Sequence, residues 1–209
     1  IACVDPLAEG LDLSPLDALL ADPQILKLMH AGRQDLEIFV ERMGSVPAPL
    51  FDTQVAAALL GLGEQIGYGP LVHKLLGVSL AKTQVRTDWL RRPLHDDVID
   101  YAADDVRFLK PLYDRLNGEL ESRGRRAWLD EEQGSLLDRN TYVQDPLEAW
   151  KRVKGSDKLK GSSCAIAQKV AAWREHTAMR VDRPRKRILS DDIIIDLARQ
   201  KPKNMAPLE

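Results

Sequence analysis

Strand-like and helix-like stretches alternate along the first half of the chain and then give way to helix alone, and this pattern restricts the fold more than any single residue. Ile25 to Met29 alternates as a strand, His30-Ala31-Gly32 turns the chain, and Leu36, Phe39 and Val40 mark a helix that Asp35 enters in its first turn. Leu50-Phe51 is a second short strand. Asp52 stands where a cap is needed, and Val55, Leu59 and Leu60 form a helical stripe closed by Gly61. Ahead of these, Ile1 to Val4 reads as a buried strand, and Ser14-Pro15 as the N-cap and first residue of a helix over 15–21. Strands alternating with helices predict an α/β layered domain.

Gly67-Tyr68-Gly69-Pro70 opens a further helix that Gly77 closes, and residues 78–94 then read as a long polar loop bounded by proline. With Lys82, Arg86, Trp89, Arg91 and Arg92, such a loop suits phosphate contact and base stacking; an ordinary surface loop with Trp89 tucked into the core fits the same residues. Ile99, Ala103, Val106 and Leu109 recur at helical spacing, so Tyr101 and Asp105 lie one turn apart on one helix face. A phenol beside a carboxylate is a pair that holds a metal-bound water, the carboxylate gripping the ion and the phenol orienting the nucleophile. A solvated acidic helix would show the same residues. Pro111 is expected to kink this helix or start a new one.

From Gly118 the pattern is helical throughout: one helix or two over 119–139, a helix centred on Trp150, a long helix over 162–179, and a last helix over 193–198 capped by Ser190. Tyr142 to Pro146 reads as a linker, which divides the chain into residues 1–142 and 143–209. Charge divides with it. Residues 1–149 carry 15 basic and 25 acidic residues, a net of -10, whereas residues 150–209 carry 15 and 7, a net of +8. An acidic body with a basic appendage suits an enzyme that uses a cation and grips a polyanion, or a basic tail that docks on its own acidic body. Five of the eight residues from Arg180 to Arg187 are basic, among them Arg183, Arg185, Lys186 and Arg187. Cys3 and Cys164 form no CxxC or Cys/His cluster, and no run is apolar enough for a membrane span, so a reducing, cytoplasmic setting is expected.

Four motifs in order, His30-Ala31-Gly32-Arg33-Gln34-Asp35, Asp52-Thr53-Gln54, Arg86-Thr87-Asp88-Trp89 with Arg92-Pro93-Leu94, and Tyr101-Ala102-Ala103-Asp104-Asp105, resemble the bacterial ribonuclease D family of the DEDD 3′-5′ exonuclease superfamily. Beyond them, Trp150-Lys151-Arg152, Trp173-Arg174-Glu175 and Asp182-Arg183-Pro184 with Ile188 to Asp191 resemble the HRDC helical domain. The resemblance implies a ribonuclease-H-like mixed sheet flanked by helices, followed by a small all-α domain. It implies metal-dependent release of nucleoside 5′-monophosphates from RNA 3′ ends, with two ions (Mg or Mn) and transfer RNA precursors as substrate. Asp35 and Asp105 then match metal-binding carboxylates and Tyr101 the tyrosine that positions water. His30, Lys82, Arg86, Trp89, Arg183, Arg185, Lys186 and Arg187 are the candidate nucleic-acid contacts.

One motif of the pattern, an Asp-x-Glu on the opening strand, has no match; Asp5 is followed by Pro6-Leu7 and does not supply it. The chain begins with Ile1, and residues upstream are expected, as is an incomplete HRDC-like region. This chain alone is therefore expected to bind divalent metal weakly, with little or no turnover. A non-catalytic nucleic-acid-binding module and a DNA-directed exonuclease of the same superfamily are the alternatives.

Overall fold

The computed structural model describes residues 1–80, 87–142 and 145–202, which fall into two units, 1–142 and 143–209. In the first, α1 (Ser14–Ala21) precedes a parallel pair, β1 (Lys27–Met29) and β2 (Leu50–Asp52), with α2 (Arg33–Met43) between the strands. Leu28 stands opposite Phe51. Of the mixed sheet implied by the resemblance, the described residues hold these two strands. On the edge of β2 away from β1, a side chain stands in for a strand. Gln133 donates to the Leu50 carbonyl at 3.2 Å and accepts the Asp52 N–H at 2.5 Å, so the buried backbone groups are satisfied.

The helices that follow are α3 (Thr53–Leu59), α4 (Tyr68–Leu76), α5 (Asp96–Arg107), α6 (Leu109–Ser122) and α7 (Arg126–Leu137). Phe51, Ala56, Leu71, Leu112, Leu116 and Leu129 join them in one core, and Leu36, Val40, Leu50 and Tyr142 form a second. Left-handed Gly44 and Gly77, at φ 72° and 71°, end α2 and α4, a conformation that costs other residues more. Pro111 lies in the first turn of α6, where its missing N–H costs nothing. The break before it is held by Tyr68, whose hydroxyl accepts the Phe108 N–H at 2.9 Å.

Three expectations are corrected. Residues 1–4 form no strand and are exposed: they pair with neither β1 nor β2, and a segment without a paired strand leaves its backbone groups to water. Ser14 does not cap α1; its hydroxyl donates to the Asp12 carboxylate at 2.8 Å. The apolar stripe of α5 is rotated: Val98 and Ala103 are buried, whereas Ile99 and Val106 are exposed. The amino-terminal segment is bolted on by polar contacts, Asp17 to Arg42 and Asp5 to Arg92, each a two-pronged carboxylate–guanidinium pair.

In the second unit, the segment holding Trp150 is wound as a 3₁₀ helix, Pro146–Arg152, and not as an α-helix, with Asp145 accepting the Leu147 N–H at its start. It packs on α8 (Gly161–Arg180), which is followed by α9 (Arg185–Ile188) and α10 (Asp191–Gln200). Ala149, Ala167, Ala171, Ile194 and Ala198 make its core. The Ser190 hydroxyl caps α10 through the Ile193 N–H, as expected.

Candidate functional site

α5 carries Tyr101 and Asp105 a turn apart, and its neighbours show which acid is free. Asp104 is paired with Arg107 at 3.0 Å; Asp105 pairs with no cation among the described residues. Asp105 keeps solvent access, yet burial against the protein raises its pKa, and the charge of Asp104 adds to that rise. Tyr101 is half-buried, and the Trp89 ring lies 6.3 Å from it, tilted by 44°. Trp89 is 42% exposed, so it is neither sealed in the core nor loose.

Asp35 sits in the first turn of α2, at the end of a tight connection from β1. Ala31 is left-handed at φ 54°, and a Cβ on Gly32 would stand 2.7 Å from the Met29 sulfur, so only glycine passes there without displacing Met29. The buried Asp52 carboxylate fixes this connection by accepting the N–H groups of Ala31 (3.1 Å) and Gly32 (2.8 Å) while also capping α3 through the Gln54 N–H (2.8 Å). Burial raises the pKa of Asp35; its own backbone N–H opposes this, and the charge of Asp52 adds to it. Asp35 has no cationic partner among the described residues either.

His30, a candidate nucleic-acid contact, is held within the protein. Its Nε2 donates to the Ile66 carbonyl at 3.1 Å, and Nδ1 lies 2.9 Å from the Thr53 hydroxyl, so both ring nitrogens are occupied within the protein. Burial lowers its pKa, against the charge of Asp52 and the Ile66 bond. The ring meets Tyr68 edge-on at 5.5 Å. Tyr68 is the residue that sequence reasoning missed: it touches His30 after β1, holds the α5–α6 junction, and has its pKa raised by burial and by Asp105 and Asp104, against the Phe108 bond. The only sequence signal was its place between two glycines at a helix start.

Lys82 and Arg86 lie outside the described residues. The turn after them is built by Asp88, which accepts the Leu90 N–H at 3.1 Å. A surface cleft of about 420 Å³ opens beside the start of α5, with Thr87, Arg91, Leu94, His95 and Val98 in its walls. In the second unit the basic segment divides. Arg185 and Lys186 lean on Glu175 (3.9 Å) and Asp191 (4.0 Å), whereas Arg183 and Arg187 are exposed with no ion pair among the described residues. Beneath them Arg174, fully buried, donates to Asp191 (2.7 Å) and to the Leu189 carbonyl (3.1 Å).

Comparison with known proteins bears on this geometry. Residues 2–121 match the 3′-5′ exonuclease family and residues 164–209 the HRDC domain. The ribonuclease D of Acidiphilium cryptum is 47% identical over 205 residues, covering 97% of this chain and 51% of that protein. That of Jannaschia is 47% identical, covering 98% and 53%. This chain thus spans about half the length of the curated relatives it matches. Among solved structures, Escherichia coli RNase D, an exoribonuclease involved in structured RNA processing, superposes with a TM-score of 0.85 at 37% identity, over 95% of this chain and 53% of that one. Brucella melitensis NrnC with bound Mg²⁺ gives a TM-score of 0.54 at 32% identity, over 59% and 60%.

Proposed function

The chain belongs to the 3′-5′ exonuclease family, and on that premise we propose that residues 1–142 carry the water-positioning face of a ribonuclease D-type exoribonuclease, with residues 143–209 as an HRDC-type appendage. The observation that carries the reading is the set on and beside α5: Tyr101 and Asp105 one turn apart, Asp105 without a cation among the described residues while Asp104 is paired, and Trp89 against Tyr101. The ribonuclease D relatives support RNA as the substrate; action at RNA 3′ ends, on transfer RNA precursors and in the cytoplasm, is part of the proposal.

In this reading the Trp89 face stacks on a base, and the Tyr101 hydroxyl orients the attacking water by a hydrogen bond. The water oxygen bonds phosphorus, the bond to the 3′ oxygen breaks, and the released nucleotide keeps its phosphate on the 5′ oxygen. In the second unit Arg183 and Arg187 are the phosphate contacts, with Arg185 and Lys186 beside them.

Asp35 and Asp105 are oxygen donors suited to Mg²⁺ or Mn²⁺, and an NrnC structure with bound Mg²⁺ supports a divalent ion. Two ions about 4 Å apart need more carboxylate than that. Among the described residues no group of three or more His, Cys, Asp or Glu is gathered, so these two acids do not by themselves complete a two-ion centre. Weak manganese binding, read by EPR, and only slight mononucleotide release from a 3′-tailed transfer RNA are expected of this chain. Asp105→Asn removes both, and Tyr101→Phe slows release while leaving manganese bound. Equal binding and release by Asp105→Asn and the parent overturn the assignment.

A further inference from the structure

Among the described residues of the first unit Arg92 makes the most guanidinium hydrogen bonds, and its partners join the amino-terminal segment to the turn before α5. Nε and Nη2 donate to the two carboxylate oxygens of Asp5, each at 2.7 Å. Nη1 donates to the carbonyls of Trp89 (2.7 Å) and Arg91 (3.0 Å). All three nitrogens are therefore used, and two of the four bonds close the turn that carries Trp89. Asp5 is itself fixed, because its Oδ1 accepts the Leu7 N–H at 3.0 Å. Arg92 holds the Asp5 carboxyl below the usual carboxylate range through its hydrogen bonds and charge, with the Leu7 N–H adding to this against desolvation.

Arg42 offers an internal contrast. It grips Asp17 with the same two-pronged geometry, at 2.9 and 2.8 Å, but its hydrogen bonds among the described residues reach no backbone carbonyl. Both pairs bolt the amino-terminal segment to the unit; only the Arg92 pair also sets the shape of a turn. Apart from Arg92, the turn is held by Asp88, whose carboxylate accepts the Leu90 N–H (3.1 Å) and whose carbonyl accepts the Arg91 N–H (3.2 Å). Leu90 is 77% exposed and Trp89 42%, so apolar packing contributes little there, and the Trp89 ring meets Tyr101 at 6.3 Å.

We infer that Arg92 is a positioning residue: anchored by Asp5, its guanidinium fixes the turn 88–92 and so holds the Trp89 ring against Tyr101 as a stacking wall for a nucleobase. The inference rests on the proposed function, in which that wall receives the 3′ end of a nucleic acid. Lysine does not replace arginine here, because a single ammonium lacks the planar fork that meets both carboxylate oxygens while turning a third nitrogen to the carbonyls.

The test uses this chain labelled with fluorotryptophan, with the Trp89 resonance assigned by Trp89→Phe, and the affinity of a short oligoadenylate RNA in EDTA. Asp5→Ala and Arg92→Lys are each expected to shift and broaden the Trp89 fluorine resonance while the other tryptophan resonances stay. Each also weakens oligoadenylate binding by about two- to fivefold, the scale of a partly exposed ion pair. Asp17→Ala leaves both readouts at the parent value. An unmoved Trp89 resonance in Asp5→Ala and Arg92→Lys overturns the clamp, as does an equal response to Asp17→Ala. Should Arg92→Lys disturb all four tryptophan resonances, Asp5→Ala, on an exposed segment, decides alone. Failure of the parent to bind oligoadenylate overturns the stacking role and the proposed function with it, whereas the resonance arms judge the clamp separately.

Discussion

In residues 1–142 the carboxylates of Asp35 and Asp105 stand without a cation among the described residues and burial pushes both up, whereas in residues 143–209 Asp191 faces the buried guanidinium of Arg174 and is held down. Burial pushes Asp191 up as well; the bond and charge of Arg174, the Lys154 N–H and the charge of Lys186 outweigh it. Asp52 is a third case, nearly fully buried and compensated by backbone N–H groups alone. The same side chain is thus used as a strut where its charge is matched from within, and is left poised for an external cation where it is not. Matched acids should stabilise the fold, and unmatched ones should cost it stability.

The largest break in this comparison is Arg174→Met, which takes from Asp191 the guanidinium it is paired with, while Glu175 keeps Arg152 (3.6 Å) and Arg185 (3.9 Å) beside it. A loss of about 3 kcal/mol in the stability of the second unit is expected, because removing one partner of a buried ion pair leaves charge uncompensated. Chemical denaturation followed through amides of α10 measures it, and an unchanged midpoint would show that the guanidinium is not the strut. Asp52→Ala comes next. It removes the cap of α3 and leaves the Ala31 and Gly32 N–H groups without an acceptor, a cost of about 2 kcal/mol seen in denaturation of the first unit.

Asp105→Asn sharpens the contrast from the other side. It relieves repulsion from Asp104 and a desolvation cost, and solvent access discounts both, so stability should rise or hold within about 0.5 kcal/mol while manganese binding is lost. A loss as large as that of Asp52→Ala would place Asp105 among the struts.

What was legible in the sequence follows the range of the interactions. Strand, turn, helix and cap signals around β1, β2 and α2 are local, and Asp52 was read as a cap because its target lies two residues away. Its second task, holding Ala31 and Gly32 from twenty residues off, left no local trace. Gln133 shows the same limit: a glutamine in α7 completes β2 across 81 residues, and periodicity carries no sign of it. The same limit applies to His30. Its partners, Thr53 and Ile66, come from elements whose approach only the fold defines. Tyr101 and Asp105 were readable because one helix sets their spacing, and the desolvation that raises the pKa of the solvent-accessible Asp105 was not.

The smallest effect expected is the pH dependence of the second unit. The folded pKa of Asp191 lies below its ordinary value of 3.8, so near the lower end of the window the unfolded chain binds the proton more readily than the folded one. Stability therefore rises with pH through the window between the folded value and 3.8, is fully present above 3.8, and is lost as pH falls through the folded value. Arg174→Met should weaken or reverse this slope as well as lower the plateau, since the guanidinium is the foremost of the groups that oppose burial. Carboxyl carbon NMR titration of Asp191, parent against variant, checks the sign directly. A parent pKa at or above 3.8 would mean that burial wins at Asp191 too, and the two units would then treat their acids alike.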